Sequence, residues 1–211
     1  MGSRLAALYV ASVAIVTALH AATGLPAAAS LALTPDRLAH GGLWELVTSA
    51  FLVAGPPVSQ LVVLAVLALV LIQRHGARTF WTVAIVAHVG STLVTYAGVG
   101  LLSLAHVRAV EPLLDQADYG ISCVWAGALG AVVVDELAAG GRTRRVAIAV
   151  AAAALLSMLS AVSSGLALPE HVLAFLIGAA LVLRSARPVE QAADVADRLD
   201  PRRVLLPELR A

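Results

Sequence analysis

Asp118-Tyr119-Gly120-Ile121-Ser122-Cys123 opens an apolar run, residues 124–137, in which the first charged residue is Asp135. A run of this kind, bounded by a polar loop and a charged end, is typical of a helix that spans a membrane. The glycine and the serine at its start place a hydroxyl at the entrance of that helix. A serine hydroxyl becomes a nucleophile when a base lies within reach. The histidine best placed to be that base is His171, which opens the last long apolar run.

The composition of the chain is that of a polytopic membrane protein. Of its 211 residues 60% are hydrophobic and 13% are charged, and the mean hydropathy is +0.92, whereas soluble domains are about 25% charged. A net charge of +1 argues against nucleic acid as a partner. All 14 basic residues are arginine, which together with the excess of Ala, Val and Leu indicates a GC-rich bacterial genome.

Cofactor and metal chemistry have no support in the sequence. The single cysteine, Cys123, excludes an internal disulfide framework and a thiolate metal cluster. The histidines show no His-x-x-x-His spacing and no Cys/His grouping, so no metal site is expected. Gly-rich phosphate loops are absent from the sequence as well. We therefore expect no bound cofactor.

Six apolar runs predict an all-α membrane protein with six transmembrane helices. They lie at about residues 5–22, 58–73, 80–102, 120–137, 146–162 and 170–184, and each approaches the ~20 apolar residues that a bilayer core ~30 Å thick demands. The first run could instead be a secretory signal, because Ala27-Ala28-Ala29 resembles a cleavage site; we favour a retained helix. The prediction is a membrane domain, residues 1–184, followed by a charged cytoplasmic tail, residues 185–211.

The arginines predict the orientation of these spans. With the N-terminus in the cytoplasm, twelve of the fourteen arginines face the cytoplasm and only Arg37 and Arg108 lie outside. The positive-inside rule favours this arrangement, with both termini cytoplasmic in the inner (plasma) membrane. The distribution also agrees with a first helix that is retained.

Ser122 and His171 are predicted to lie at the same depth. Ser122 precedes Asp135 by 13 residues and His171 precedes Arg184 by 13 residues, which places each about 20 Å above the cytoplasmic boundary. Small residues also mark the two helices, and close packing of helices in a membrane needs such residues. The predicted packing positions are Gly127 and Gly130 on the fourth helix and Ala174 and Gly178 on the sixth.

These residues resemble the rhomboid intramembrane proteases over about residues 43–183. Rhomboids carry a Gly-x-Ser-Gly nucleophile motif that opens the fourth of six helices, and this chain has Gly120-Ile121-Ser122-Cys123. Their base histidine opens the sixth helix and is followed by a glycine, as His171 is followed by Gly178. The segment Leu43-Trp44-Glu45-Leu46-Val47-Thr48-Ser49-Ala50-Phe51 is similar to the first-loop motif of the family.

The chain also departs from the family pattern. Glu45 stands where rhomboids have arginine, and Gln60 and Leu64 fall near the histidine and asparagine that help to stabilise the oxyanion. Cys123 replaces the last glycine of the nucleophile motif. The resemblance implies that Ser122 is the nucleophile and His171 the base, with Gln60, Gly120 and Cys123 in support around the oxyanion.

Three functions remain open at this point. The first is a serine endopeptidase that cleaves transmembrane or juxtamembrane segments of membrane proteins through the Ser122–His171 dyad. The second is a catalytically inactive rhomboid-like protein that binds or chaperones client helices in the bilayer, which the departures at Glu45, Gln60 and Leu64 favour. The third is a small transporter or scaffold. We rank the third last, because transporters carry carboxylates in the middle of their spans and these runs do not.

Overall fold

The structure is a computed structural model that describes residues 2–23, 30–142, 144–146, 148, 150 and 165–198. The named elements are α1 (Gly2–Thr23), α2 (Pro35–Ala39), α3 (Glu45–Ser49), α4 (Pro57–Leu104), a 3-10 helix (Arg108–Leu113), α5 (Ile121–Ala139) and α6 (Ala167–Arg198). Within these described ranges there is no strand, and one isolated antiparallel bridge joins Leu33 to Asp118. The described part of the chain is therefore all-helical.

Four of the described helices are long and apolar enough to cross a membrane. They are Gly2–Thr23, Pro57–Leu104, Ile121–Ala139 and Ala167–Arg184. Their number, length and apolar composition are those of a membrane-embedded protein, as the sequence predicts. Helix α6 continues as far as Arg198, so the start of the predicted tail is helical. The predicted span 146–162 and the end of the tail, 199–211, lie outside the described residues, apart from the isolated positions 146, 148 and 150. The count of six spans and the side of each terminus stay predictions.

Helix α4 is interrupted once. Its 48 residues would extend about 72 Å as one continuous helix, more than twice the thickness of a bilayer core. The interruption is at Gly76, where the backbone has φ 82° and ψ 162°. Residues other than glycine rarely adopt this φ, so the glycine allows the chain to change direction here. The two segments on either side of Gly76 contain the predicted spans 58–73 and 80–102.

Helix α5 is the centre of the described bundle and packs between α4 and α6. In its apolar window 56% of the residues are buried, against 17% in α1. The reason is the absence of side chains at the contacts: a Cβ added to Gly130 would lie 2.0 Å from the carbonyl oxygen of Phe175. A Cβ on Gly178 would lie 1.9 Å from the carbonyl oxygen of Gly127. Ala174, on the same helix as Gly178, is fully buried. The backbones of α5 and α6 are therefore in direct contact.

A charged cluster marks one end of α5. Arg74 pairs with Asp135 at 2.9 Å and also with Glu136, and the His75 ring lies 3.3 Å from Asp135. These residues stand next to the interruption of α4. Ser122, in the first turn of α5, is 13 residues away from Asp135 along the helix, or about 20 Å. The first turns of α5 and α6 therefore lie at the opposite end of the bundle from this cluster.

The α5–α6 contact can be tested with Gly178→Ala. The added methyl group overlaps the backbone of α5, so the two helices must separate or bend. Overpacking of this kind typically costs about 1–3 kcal/mol, which lowers the melting temperature of a chain of this size by roughly 2–10 °C. The melting temperature would be measured in lipid nanodiscs. Gly98→Ala is the matched control, because a Cβ at Gly98 meets nothing within 4 Å; equal shifts for the two variants would contradict the contact.

Candidate functional site

A cavity of about 500 Å³ lies at the end of the bundle that holds the first turns of α5 and α6. It is bounded by four segments: the turn before α4 with the first turns of that helix, the residues just before α5, the start of α5, and the start of α6. Its size falls within the range of small-ligand sites. Of the residues singled out in the sequence, Ser122, His171 and Gln60 line this cavity.

Ser122 and His171 reach the cavity from separate helices. Ser122 belongs to the first turn of α5, and His171 is the fifth residue of α6. The Ser122 hydroxyl donates a hydrogen bond of 3.2 Å to the carbonyl oxygen of Tyr119. The His171 residue is 9% exposed, and its Nδ1 has no hydrogen-bond partner among the described residues. The structure brings the two residues to one cavity, but no hydrogen bond joins them in the described part of the chain.

Trp125 connects His171 to Gln60, and sequence reasoning missed it. Its indole lies one turn after Ser122 on the same face of α5, and its ring centre is 5.8 Å from that of His171 at a tilt of 39°. The indole N–H donates to Gln60 Oε1 at 3.4 Å. The Gln60 Nε2 atom in turn donates to the carbonyl oxygen of Ala54. The only feature of the sequence that could have indicated a role for Trp125 in the site is its position three residues after Ser122.

Gly120 is held against His88 of α4. The Gly120 backbone has φ −67°, which any residue adopts, so its conformation does not require glycine. The requirement is steric, because a Cβ here would lie 2.1 Å from His88 Cε1. His88 Nε2 donates to the carbonyl oxygen of Leu46 at 2.8 Å, and the Gly120 N–H donates to that of Ser49 at 2.9 Å. Gly120 thus fixes the start of α5 against α3 and α4.

Three residues at which the chain departs from the rhomboid pattern do not line the cavity. Cys123 is fully buried in a small cluster with Ala87, Ala126 and Ala174, so its thiol faces the helix interfaces rather than Ser122's cavity. Leu64 is fully buried in the apolar core. Glu45 is buried at the start of α3, where its carboxylate lies 3.6 Å from the Arg37 guanidinium. The structure gives none of these three side chains a direct role in the cavity.

Asp118 and Glu170 form a buried pair of carboxyl groups on the cavity wall. The two groups lie within hydrogen-bonding range of each other, and the residues are only 8% and 1% exposed. Two carboxylates in contact cannot both ionise readily, so the contact favours a proton between the two groups. The N-cap residue of α5 is Gly120, and no side chain makes a capping bond there.

Burial raises the pKa of the Asp118 carboxyl above its usual range. The nearby His88 ring and hydrogen bonds from Glu170, the Tyr119 backbone and Tyr96 act in the opposite direction and offset this only in part. Among the described residues, no group of three His, Cys, Asp or Glu side chains is arranged to hold a metal ion. The pair is therefore best described as a proton-binding pair in the wall of the cavity.

The raised pKa of Asp118 predicts a pH dependence of stability. In the unfolded chain the group ionises above about pH 3.9, whereas the folded protein retains the proton to higher pH, so its ionisation favours unfolding as the pH rises. Asp118→Asn cannot ionise. We therefore compare the melting temperatures of the unmodified protein and of Asp118→Asn. The first minus the second should decrease as the pH rises from 4 to the raised pKa of Asp118 in the folded protein.

The control for this measurement is Asp115→Asn, which removes an exposed carboxyl from the same loop. It reports the effect of losing one negative charge without the buried environment. A difference between the unmodified protein and Asp118→Asn that stays constant or grows with pH would contradict the assignment.

Comparison with known proteins adds no relative. No family model, no curated protein and no solved structure matches the chain. The functional reading of the cavity therefore depends on its own residues and on the sequence resemblance given above.

Proposed function

We propose that the protein is a rhomboid-like intramembrane serine endopeptidase that cleaves transmembrane or juxtamembrane segments of membrane proteins. The observation that supports this most is the position of Ser122 and His171. They come from the first turns of two separate, closely packed membrane helices and line the same cavity. A nucleophile and a base brought together from different elements are the minimum that covalent catalysis by a serine requires.

The mechanism follows from these two side chains. The imidazole of His171 accepts the proton of Ser122 Oγ as that oxygen attacks the scissile carbonyl carbon, and the same proton then passes to the leaving amine as the C–N bond breaks. Water, deprotonated by His171, hydrolyses the acyl-enzyme and restores the hydroxyl. For the first step the hydroxyl must rotate away from the Tyr119 carbonyl oxygen to which it is bonded.

Oxyanion stabilisation in this proposal is weaker than in the rhomboid pattern. The Ser122 backbone N–H belongs to the first turn of α5, where N–H groups lack intrahelical acceptors and the helix dipole favours negative charge. Gln60 Nε2 carries two hydrogens, so the second remains a possible donor while the first bonds Ala54. Leu64 offers no donor. Losing one donor typically costs about 10²–10³ in rate, so we propose a slow enzyme.

The proposed setting is the inner membrane of a bacterium, with six spans and both termini in the cytoplasm. The four described membrane-length helices and the excess of arginine at the proposed cytoplasmic ends support this arrangement. In it, the charged cluster around Arg74 lies at the cytoplasmic face and the cavity opens toward the outer face.

A second candidate is a catalytically inactive rhomboid-like protein that binds or chaperones membrane helices. The resting hydrogen bond from Ser122 to Tyr119 and the engagement of Gln60 by Trp125 favour it. The first bond occupies the Ser122 hydroxyl and the second holds the Gln60 side chain, and both leave the cavity intact as a binding site.

Labelling by a fluorophosphonate probe separates the two candidates. A working dyad reacts with the probe at Ser122, because only a hydroxyl activated by a base attacks phosphorus at a useful rate. We expect labelling of the unmodified protein and a fall of about 10²-fold or more in Ser122→Ala and in His171→Ala. The readout is in-gel fluorescence of the protein in nanodiscs.

The matched controls are Ser59→Ala and His40→Ala, which remove an exposed serine and an exposed histidine. Both should label like the unmodified protein. Labelling that persists in Ser122→Ala would exclude Ser122 as the nucleophile. An unlabelled protein that still co-purifies with membrane-protein clients would support the inactive candidate.

A further inference from the structure

The cavity that holds Ser122 and His171 is lined by acidic side chains without a basic partner. Two acidic residues, Asp118 and Glu170, line it, and none of its lining residues is an arginine. When either carboxyl group ionises, its negative charge has no basic side chain in the lining to offset it. A buried charge without a counter-ion is costly, and proteins normally pair such charges or neutralise them. The lining of the cavity therefore favours a positively charged group over a negatively charged one.

Three buried atoms on the cavity wall are without hydrogen-bond partners. Asp118 Oδ2, Glu170 Oε1 and His171 Nδ1 each have less than 1 Å² of exposed surface and no partner among the described residues. A shared proton satisfies one oxygen of each carboxyl group, and the two orphaned oxygens remain. Oxygen atoms of carboxyl groups and a neutral imidazole nitrogen are acceptors, so the missing partner is a donor of hydrogen bonds.

A group with several N–H donors and a positive charge meets both requirements. A lysine ammonium has three donors and an arginine guanidinium has five, whereas a carboxylate or a hydroxyl cannot supply this combination. The Trp125 indole also borders the cavity, and aromatic faces attract cations. Apolar residues such as Leu166 and Ala167 line the remainder and suit the methylene stem of such a side chain.

We propose that this cavity binds the lysine or arginine side chain of a membrane-protein segment, with the Asp118–Glu170 pair as the cation-binding subsite. The part of this proposal that names a substrate side chain rests on the proposed function. The binding itself does not require Ser122 chemistry. Glu170 directly precedes His171 in α6, and Asp118 lies four residues before Ser122, so a cation held by the pair places its neighbouring backbone near the nucleophile.

Fluorescence anisotropy with the Ser122→Ala protein tests the proposal, because that variant binds without cleaving. The protein would be held in nanodiscs of zwitterionic phosphatidylcholine, which does not attract basic peptides. The probes are fluorescein-labelled ten-residue Ala/Ser peptides with one central lysine, arginine or norleucine, the last having a stem like that of lysine without the charge. We expect the lysine and arginine peptides to bind about tenfold more tightly than the norleucine peptide, or better.

The double substitution Asp118→Asn with Glu170→Gln removes all charge from the pair at nearly constant shape. It should reduce the preference for lysine to less than about threefold. The double substitution Glu111→Gln with Asp115→Asn is its match, because it makes the same two chemical changes at exposed positions shortly before α5 and should leave the preference unchanged.

Equal affinity for the three peptides in the protein with an intact carboxyl pair would overturn the proposal, and that comparison does not depend on whether the double variant folds. A preference retained by the folded Asp118→Asn, Glu170→Gln protein would also overturn it. A lysine preference in a protein that the fluorophosphonate probe leaves unlabelled would support the cation site while it refutes proteolysis. The two proposals therefore fail separately.

Discussion

Direct contact between the backbones of α5 and α6 is the constraint on which the site depends. The carbonyl oxygens of Gly127 and Phe175 occupy the space that a side chain would fill on Gly178 and Gly130. In a bilayer there is no hydrophobic force to bring helices together, so close packing of small residues supplies much of the association. Ser122 and His171 lie within two turns of these contacts. The same contact that joins the helices therefore limits how far apart their first turns can be.

A second constraint operates at that end of the bundle, where polar groups are withdrawn from water. The Asp118 backbone N–H donates to the Leu33 carbonyl oxygen at 2.8 Å, and its carboxyl group meets that of Glu170. The residue thus joins three parts of the chain: the segment before α2, the loop that enters α5, and the start of α6. Burial raises the pKa of this carboxyl group, so the proton that it keeps lowers the cost of withdrawing it from water. The residue that connects these three parts of the chain is therefore also one of the two acidic residues that line the cavity.

The sequence predicts the apolar helices and the small residues between them, because lipid imposes a strong and simple pattern on composition. It also suggests that Ser122 and His171 share a depth, since that follows from counting residues to the charged ends. It does not reveal the Asp118–Glu170 pair, because the meeting of a loop residue with a helix 52 positions later leaves no periodicity. Nor does it show that Cys123 faces away from the cavity: successive helical residues point about 100° apart, and only packing decides which face α5 presents.

Magnitudes indicate which feature of the site would govern the proposed catalysis. The bond from Ser122 Oγ to the Tyr119 carbonyl oxygen is a local side-chain bond of the kind serines make at helix ends. Such a bond has a net value of about 0.5–1.5 kcal/mol, so releasing it lowers a rate by roughly tenfold or less. The missing donor at Leu64 is a larger loss, about 2.7–4 kcal/mol by analogy with other oxyanion sites. The resting position of the hydroxyl is thus a weaker argument against proteolysis than the apolar side chain of Leu64. In the proposed enzyme, the rate of cleavage depends mainly on how far the Ser122 backbone N–H and the second amide hydrogen of Gln60 replace that donor.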